Sequence, residues 1–284
     1  MRRWALGAVW LALALGLAAV LAGCSGVRFA YDNADLFIRW RLLQFLDVHG
    51  EQADELDERI TRFMRWHRAN ALPKYARDAD EGAQRLSRGL TRADLAWGYD
   101  VFTGHGREAM HAAAGQMAPL LDRLTPEQVR HMEQRIDEEN RKFAREYLRG
   151  GERERREKRA QRIVTRLEDW LGTLSKAQIE AVRQYSARAP LNADARDRDN
   201  KRIQAEILAV IRARESRTRL AETVISTDKR RDPAFAAVRQ ESLDGFYTLL
   251  LEIERLATPE QRARVISELR RYAEEFRGLA ARPS

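Results

Sequence analysis

Apolar positions recur every three or four residues along most of this chain. Ala53, Leu56, Ile60, Phe63 and His67 step by 3, 4, 3 and 4, and Ala160, Ile163, Leu167, Trp170 and Leu174 repeat that spacing. Val265, Leu269, Tyr272, Phe276 and Leu279 step by 4, 3, 4 and 3. Such steps keep side chains on one face of an α-helix. No stretch of any length alternates at the two-residue period of a strand. The pattern predicts an all-α fold, a multi-helix bundle of amphipathic helices joined by short capped turns.

Punctuation divides the pattern. Asp32 or Asn33 can cap a first helix through about Leu46, with Leu36, Phe37, Trp40, Leu43 and Phe45 on its apolar side. Core packing is the ordinary use of such a face; contact with a bilayer surface is the alternative. A second helix runs from about Glu51 to Pro73, where the missing N–H and the ring end or kink it. Lys74 to Leu86 continues as helix, and Thr91 caps the next. Gly104 and Gly106 each weaken that helix by about 1 kcal/mol relative to Ala, so a break is expected there, with a further helix over Arg107 to Met117. Gly150-Gly151 breaks the chain before the charged run Glu152 to Arg159, the solvated start of another helix. Pro190 to Asn200 reads as a polar linker that divides two sub-bundles. Lys201 to Arg214 resumes as helix, and Asp232-Pro233 opens a long one to about Leu256.

The clearest internal signal is a helix start written three times. Leu124-Thr125-Pro126-Glu127-Gln128 recurs as Leu174-Ser175-Lys176-Ala177-Gln178, and as Ala257-Thr258-Pro259-Glu260-Gln261. Thr125, Ser175 and Thr258 are N-caps, whose hydroxyls accept from an orphan N–H. Gln128, Gln178 and Gln261 stand three residues on and can reach back, closing a capping box. Pro126 and Pro259 sit where no N–H is needed. Leu124 with Val129, and Leu174 with Ile179, have staple spacing; Ala257 with Arg262 does not.

The first residues change the picture. Arg2 and Arg3 precede an uncharged apolar run from Trp4 to Val20, followed by Leu21-Ala22-Gly23-Cys24. A membrane span of about 17–25 residues is the competing reading, but Gly7, Gly16 and the small-residue ending favour an export signal, cleaved after residue 23. The ending resembles the sites cut by the lipoprotein signal peptidase. That resemblance implies lipidation of Cys24 with palmitate-type chains and a periplasmic location; the chain itself reads as a short tether over residues 24–31 followed by a helical domain over 32–284. Ser25 stands where Asp would resemble an inner-membrane retention signal, which favours the outer membrane. Several acyl chains make such an anchor stable, at about 0.8 kcal/mol per buried methylene.

Composition then removes some chemistries. Cys24 is the only cysteine in the 284 residues, so a lipidated chain keeps no thiol for disulfides or metals. The formal net charge is +8, carried mostly by arginine. The charges are interspersed rather than blocked, as on solvated helix faces, and export argues against a nucleic-acid partner. None of His49, His67, His105, His111 and His131 forms a metal-binding pair on one helix face. No serine-nucleophile elbow or phosphate loop appears, and the carboxylates mostly have a basic neighbour at helical spacing. No cofactor, no metal and no catalysis are expected. Trp66, His67, Arg68 and Tyr75 form the one polar–aromatic cluster, read either as packing around Pro73 or as a partner or ligand surface.

Taken together, Val27 to Asp35, Trp66-His67-Arg68, Leu72-Pro73-Lys74-Tyr75 and Tyr272 to Phe276 resemble a family of uncharacterised proteobacterial lipoproteins, across nearly the whole chain. The family implies location and no activity. The Leu-Thr-x-x-Gln starts are also similar to those of the small Spy- and CpxP-type periplasmic chaperones, though the same residues are simply good helix starts. The function expected is a lipid-anchored envelope protein acting as a scaffold or adaptor for another envelope protein. A holdase-like chaperone or stress factor is the alternative, and an envelope enzyme the lesser one.

Overall fold

The computed structural model describes residues 26–227 and 230–282, all in helices and their connections. Cys24 and the stretch expected to be an export signal lie outside the described residues. Among the described residues, twelve α-helices follow one another. They begin with α1 (Gly26–Asp32), α2 (Ala34–Leu46), α3 (Glu51–Asn70), α4 (Leu72–Ser87), α5 (Arg92–Leu121) and α6 (Pro126–Phe143). They continue with α7 (Glu152–Leu171), α8 (Lys176–Arg188), α9 (Ala193–Arg212), α10 (Ala221–Ile225), α11 (Pro233–Leu256) and α12 (Pro259–Ala280). Wider π-type turns at Ala144–Leu148 and Ser216–Leu220 follow α6 and precede α10. Among the described residues no helix is long and apolar enough to cross a membrane.

Two apolar clusters hold the helices. The first gathers Leu46, Leu56, Ile60, Leu120, Val129, Met132, Val210 and Leu220 from α2, α3, α5, α6, α9 and the turn before α10. The second gathers Ala160, Val164, Leu174, Val182, Leu249 and Ile253 from α7, α8, α11 and the turn between α7 and α8. The chain passes from the first to the second after α6, returns at α9, and leaves again at α11. A third seam joins α4 to α12, with Ala76, Ala83, Ala273 and Leu279 buried. Small residues on these stripes let the two helices lie close.

All three sequence-marked helix starts close as capping boxes. Gln128, Gln178 and Gln261 accept from the cap backbone N–H at 3.0, 2.9 and 3.1 Å, while the cap hydroxyls accept from the glutamine N–H groups at 3.2 Å. Thr91 and Asp94 make a fourth box. The glutamines do more than cap. Gln178 Nε2 donates to Gln261 Oε1 at 2.9 Å, and Gln261 Nε2 donates to the Thr173 carbonyl at 3.0 Å. Gln128 pairs with Gln52 at 2.7 Å and donates to the Asp47 carbonyl at 2.9 Å. Gln52 lies at the start of α3, two residues after its N-cap Gly50, and closes no capping box of its own.

The two bridges head similar units. In one, α3 packs on α5 and α2 on α6, with the α3 and α6 starts joined by Gln52 and Gln128. In the other, α12 packs on α7 and α11 on α8, with the α12 and α8 starts joined by Gln261 and Gln178. The helix pairs occur in opposite order along the chain.

Four expectations are corrected. Residues 26–31 are helix rather than tether, because Tyr31 bonds to α3 and the segment packs on α12. The Asn33 side chain caps no N–H of α2; its amide donates back to the Phe29 carbonyl at 2.8 Å. Helix α5 runs unbroken through Gly104 and Gly106, since its C-terminal half buries Ala114, Ala118, Leu120 and Leu121 in the first cluster and outweighs the glycine cost. The linker shrinks to residues 189–192: from Ala193 the chain is helical, with Asp197 and Asp199 buried against Lys201 and Arg202 at 2.7 and 2.8 Å. Polar composition there is ion pairing rather than looseness.

Gln178 is fully buried and bonded at both amide atoms. Gln178→Ala removes the capping bond and leaves the Gln261 amide short of a partner, so it is expected to cost about 1–3 kcal/mol in urea unfolding. A double-mutant cycle with Gln261→Ala should return a coupling of at least about 0.5 kcal/mol. Additive losses would show that the two caps act separately.

Candidate functional site

Helix α3 ends at Asn70 and α4 restarts at Leu72 with Pro73 in its first turn, so the chain bends without losing helical order. The bend brings His67 and Tyr75 together. Tyr75 Oη lies 3.3 Å from His67 Nε2, and Tyr31 Oη from α1 lies 3.1 Å from Nδ1. Phe63 and Trp66 pack around the imidazole at 5.8 and 6.4 Å between ring centres, and Arg68 sits over Tyr31 at 5.8 Å. All four residues marked in the sequence therefore meet here, with Trp66 and Arg68 at the edge.

The network extends beyond them. The Tyr75 ring lies 4.7 Å from His105 of α5 and 5.8 Å from Phe276 of α12. His105 Nε2 in turn contacts Asp78 Oδ2 at 2.7 Å. Sequence reading missed Asp78 and His105 because they come from α4 and α5, 27 residues apart. Tyr31 and Phe276 lie in two segments that carried the family resemblance, so those distant segments converge on one joint.

Burial decides the protonation states. Desolvation pushes the His67 imidazole below its ordinary value of 6.5. Burial also raises the Tyr31 hydroxyl against the opposing charge of Arg68, and raises Tyr75, to which the Glu108 charge adds. Near neutral pH a neutral imidazole therefore stands between two protonated phenols. It donates to one and accepts from the other, satisfying both ring nitrogens. Protonation would leave both nitrogens as donors.

Beside this joint, α4, α5 and the end of α12 enclose an open groove of about 1050 Å³. Ala76, Trp97, Val101 and Ala280 give it an apolar floor. Its walls carry ion pairs. Asp78 holds His105 and Arg77, Asp80 holds Arg277, and Arg85 bonds Glu81 and Asp94 at 2.8 and 2.7 Å while lying 4.3 Å over Trp97. Burial alone would raise the Asp78 carboxyl, but hydrogen bonds and charge from Arg77 and His105 outweigh it and hold it below its ordinary value. The Thr91 hydroxyl, Arg85 and the Thr91 backbone together hold Asp94 at about 2. Such a groove offers apolar contact along its floor and exchangeable charge of both signs along its rim. Among the described residues no cluster of three or more His, Cys, Asp or Glu could hold a metal ion.

The match to a known family model spans residues 44–231. The chain belongs to a family of unknown function, DUF6279. The matched region runs from the end of α2 to the turn before α11, so it contains His67, Tyr75, Asp78 and His105 but neither Tyr31 nor Phe276. No curated protein and no solved structure matches the chain.

The buried imidazole has a consequence for stability. Unfolded, His67 binds its proton near pH 6.5, whereas the folded protein binds it only at lower pH. Between those values the unfolded state holds more protons, so stability falls as pH drops below about 6.5. His67→Gln keeps a donor and an acceptor without titrating. Urea midpoints at about pH 7.5 and 5.5 should show the wild type losing more stability than the variant. Equal losses would exclude His67 as the source.

Proposed function

We propose that this chain is a lipid-anchored protein of the bacterial envelope that binds another envelope protein through the groove between α4, α5 and α12. In this reading the chain is attached at Cys24, faces the periplasm from the outer membrane, and works as a scaffold or adaptor, with no catalytic step. The observation that carries it is the pairing of an apolar floor with walls whose charges are already tied to one another. The exposed pair of Arg277 with Asp80 contributes only about 0–1 kcal/mol, so an incoming segment can exchange it at little cost. Trp97, half-buried on the floor beside Arg85, is the kind of aromatic anchor on which binding energy concentrates. The lipobox supports the location, and the charge interspersion supports a protein rather than a nucleic-acid partner.

A second reading has its own support. Phe102 and Met110 on α5 are 78% and 55% exposed. Exposed apolar side chains suit a holdase that meets unfolded clients without a fixed partner.

Crosslinking in intact cells, purification through a C-terminal tag and mass spectrometry separates the two. The adaptor reading expects one or two stoichiometric envelope partners, lost in the Cys24→Ala form and reduced at least about tenfold by Trp97→Ala with Val101→Lys. Circular dichroism of the groove variant confirms that it is folded. A broad client set that grows under envelope stress would replace the adaptor by the holdase. Capture of no protein at all would sink both.

A further inference from the structure

Helix α2 is apolar on two sides, which a helix covered on one side only does not need. Its inner side places Ile38, Leu42, Leu43, Phe45 and Leu46 against the first cluster. Its outer side, continued from α1, carries Phe29, Leu36, Phe37 and Trp40, which are 65%, 62%, 63% and 54% exposed. Their spacing of 7, 1 and 3 residues sets them on one stripe, because Phe37 N–H still bonds the Asn33 carbonyl at 3.1 Å and the helical path is nearly continuous from α1. The stripe runs about 16 Å, at 1.5 Å per residue.

The borders of the stripe are electrically quiet. Arg39 and Arg41 leave the helix on either side of it and are tied to Asp57 at 2.6 Å and to Glu139 at 3.2 Å. Asp32 is tied to Arg282 at 2.8 Å. Asp35 turns toward α3, where it lines a small cavity with Tyr31, Arg65 and Arg68. No unpaired acid of α1 or α2 therefore lies on the stripe itself.

Position says what covers it. Only Ser25 separates Cys24 from Gly26, the first residue of α1, so a lipid at Cys24 would hold the start of that helix within about 7 Å of the headgroup–acyl boundary. The bilayer is then the nearest apolar phase to Phe29. We propose that Phe29, Leu36, Phe37 and Trp40 seat in the interfacial layer of the membrane, so that α1 and α2 lie flat on it and fix the orientation of the body. An interfacial helix of this kind buries its apolar face about 5–10 Å deep, with aromatic rings at headgroup level. The tyrosine–histidine joint transmits that orientation: Tyr31 on α1 is bonded to His67 on α3, which meets α4 and through Tyr75 reaches α12.

The inference rests on the lipid-anchor reading for its geometry, and the test keeps the two apart. The non-lipidated chain over residues 24–284 with Cys24→Ala is mixed with vesicles of phosphatidylethanolamine and phosphatidylglycerol. Cosedimentation and a blue shift of tryptophan emission report binding. The same chain with Phe29, Leu36, Phe37 and Trp40 each replaced by Ser is the comparison, its folding checked by circular dichroism. The expected result is at least a tenfold weaker partition for the fourfold variant. Failure of the Cys24→Ala chain to partition, or equal partition by the fourfold variant, overturns the proposal. So does a dimer by light scattering in the absence of vesicles that the fourfold variant abolishes, because the stripe would then be covered by a second copy. Palmitate labelling of Cys24 in cells is read separately. Labelling without vesicle binding refutes the seated stripe and keeps the anchor; vesicle binding without labelling does the reverse.

Discussion

Two glutamine pairs, each with one buried member, decide how this chain is put together. A helix start needs partners for its first N–H groups, and a hydroxyl with a glutamine three residues on supplies them. Once the glutamine is turned inward its amide still has a donor to satisfy. Gln178 meets Gln261, and Gln128 meets Gln52, so each local solution to capping becomes a contact between two distant helices. An unmatched amide in such a place would cost about 1–3 kcal/mol. The pairing therefore discriminates against other arrangements of similar amphipathic helices, which the apolar faces alone would tolerate.

The second organising element is the joint around His67. The glutamine pairs act within each unit, while the joint acts between α1, α3, α4, α5 and α12. It is built from rings whose polar tips find one another, so it is directional in a way that the alanine-rich α4–α12 seam is not. A neutral imidazole with a phenol at each nitrogen accepts only a narrow range of positions for the helices that carry those phenols. The same joint borders the groove and includes α1, the helix that follows Cys24 in sequence, so the groove and the N-terminal helix share one support.

Much of this was legible in the sequence, for identifiable reasons. Helix type and the three hydroxyl-capped starts follow from local spacing, and Asp232 caps α11 as its Asp-Pro pair indicates, accepting from Phe235 N–H at 2.9 Å. The fourth glutamine, Gln52, follows its N-cap Gly50 by two residues rather than three and has no hydroxyl before it, so no capping pattern marks it. The glycines of α5 and the acids near Asp197 were misread because propensity is a weak signal against a buried half-helix or an ion pair formed one turn later. Of the polar–aromatic cluster, the members within ten residues of one another were legible. Asp78 and His105 were not, since nothing local to either announces a partner on the next helix.

Helix α12 shapes how the molecule is assembled in time. It is the last described helix to emerge during synthesis, yet it covers α4 and reaches α1 and α7. These contacts span much of the chain, and closure over long loops is slow because chain entropy is lost before the contacts form. Until α12 arrives, the alanine face of α4 and one side of α7 stand bare while the first cluster can already form around α2, α3, α5 and α6. A chain whose α12 has not yet closed therefore leaves that apolar surface open to aggregation.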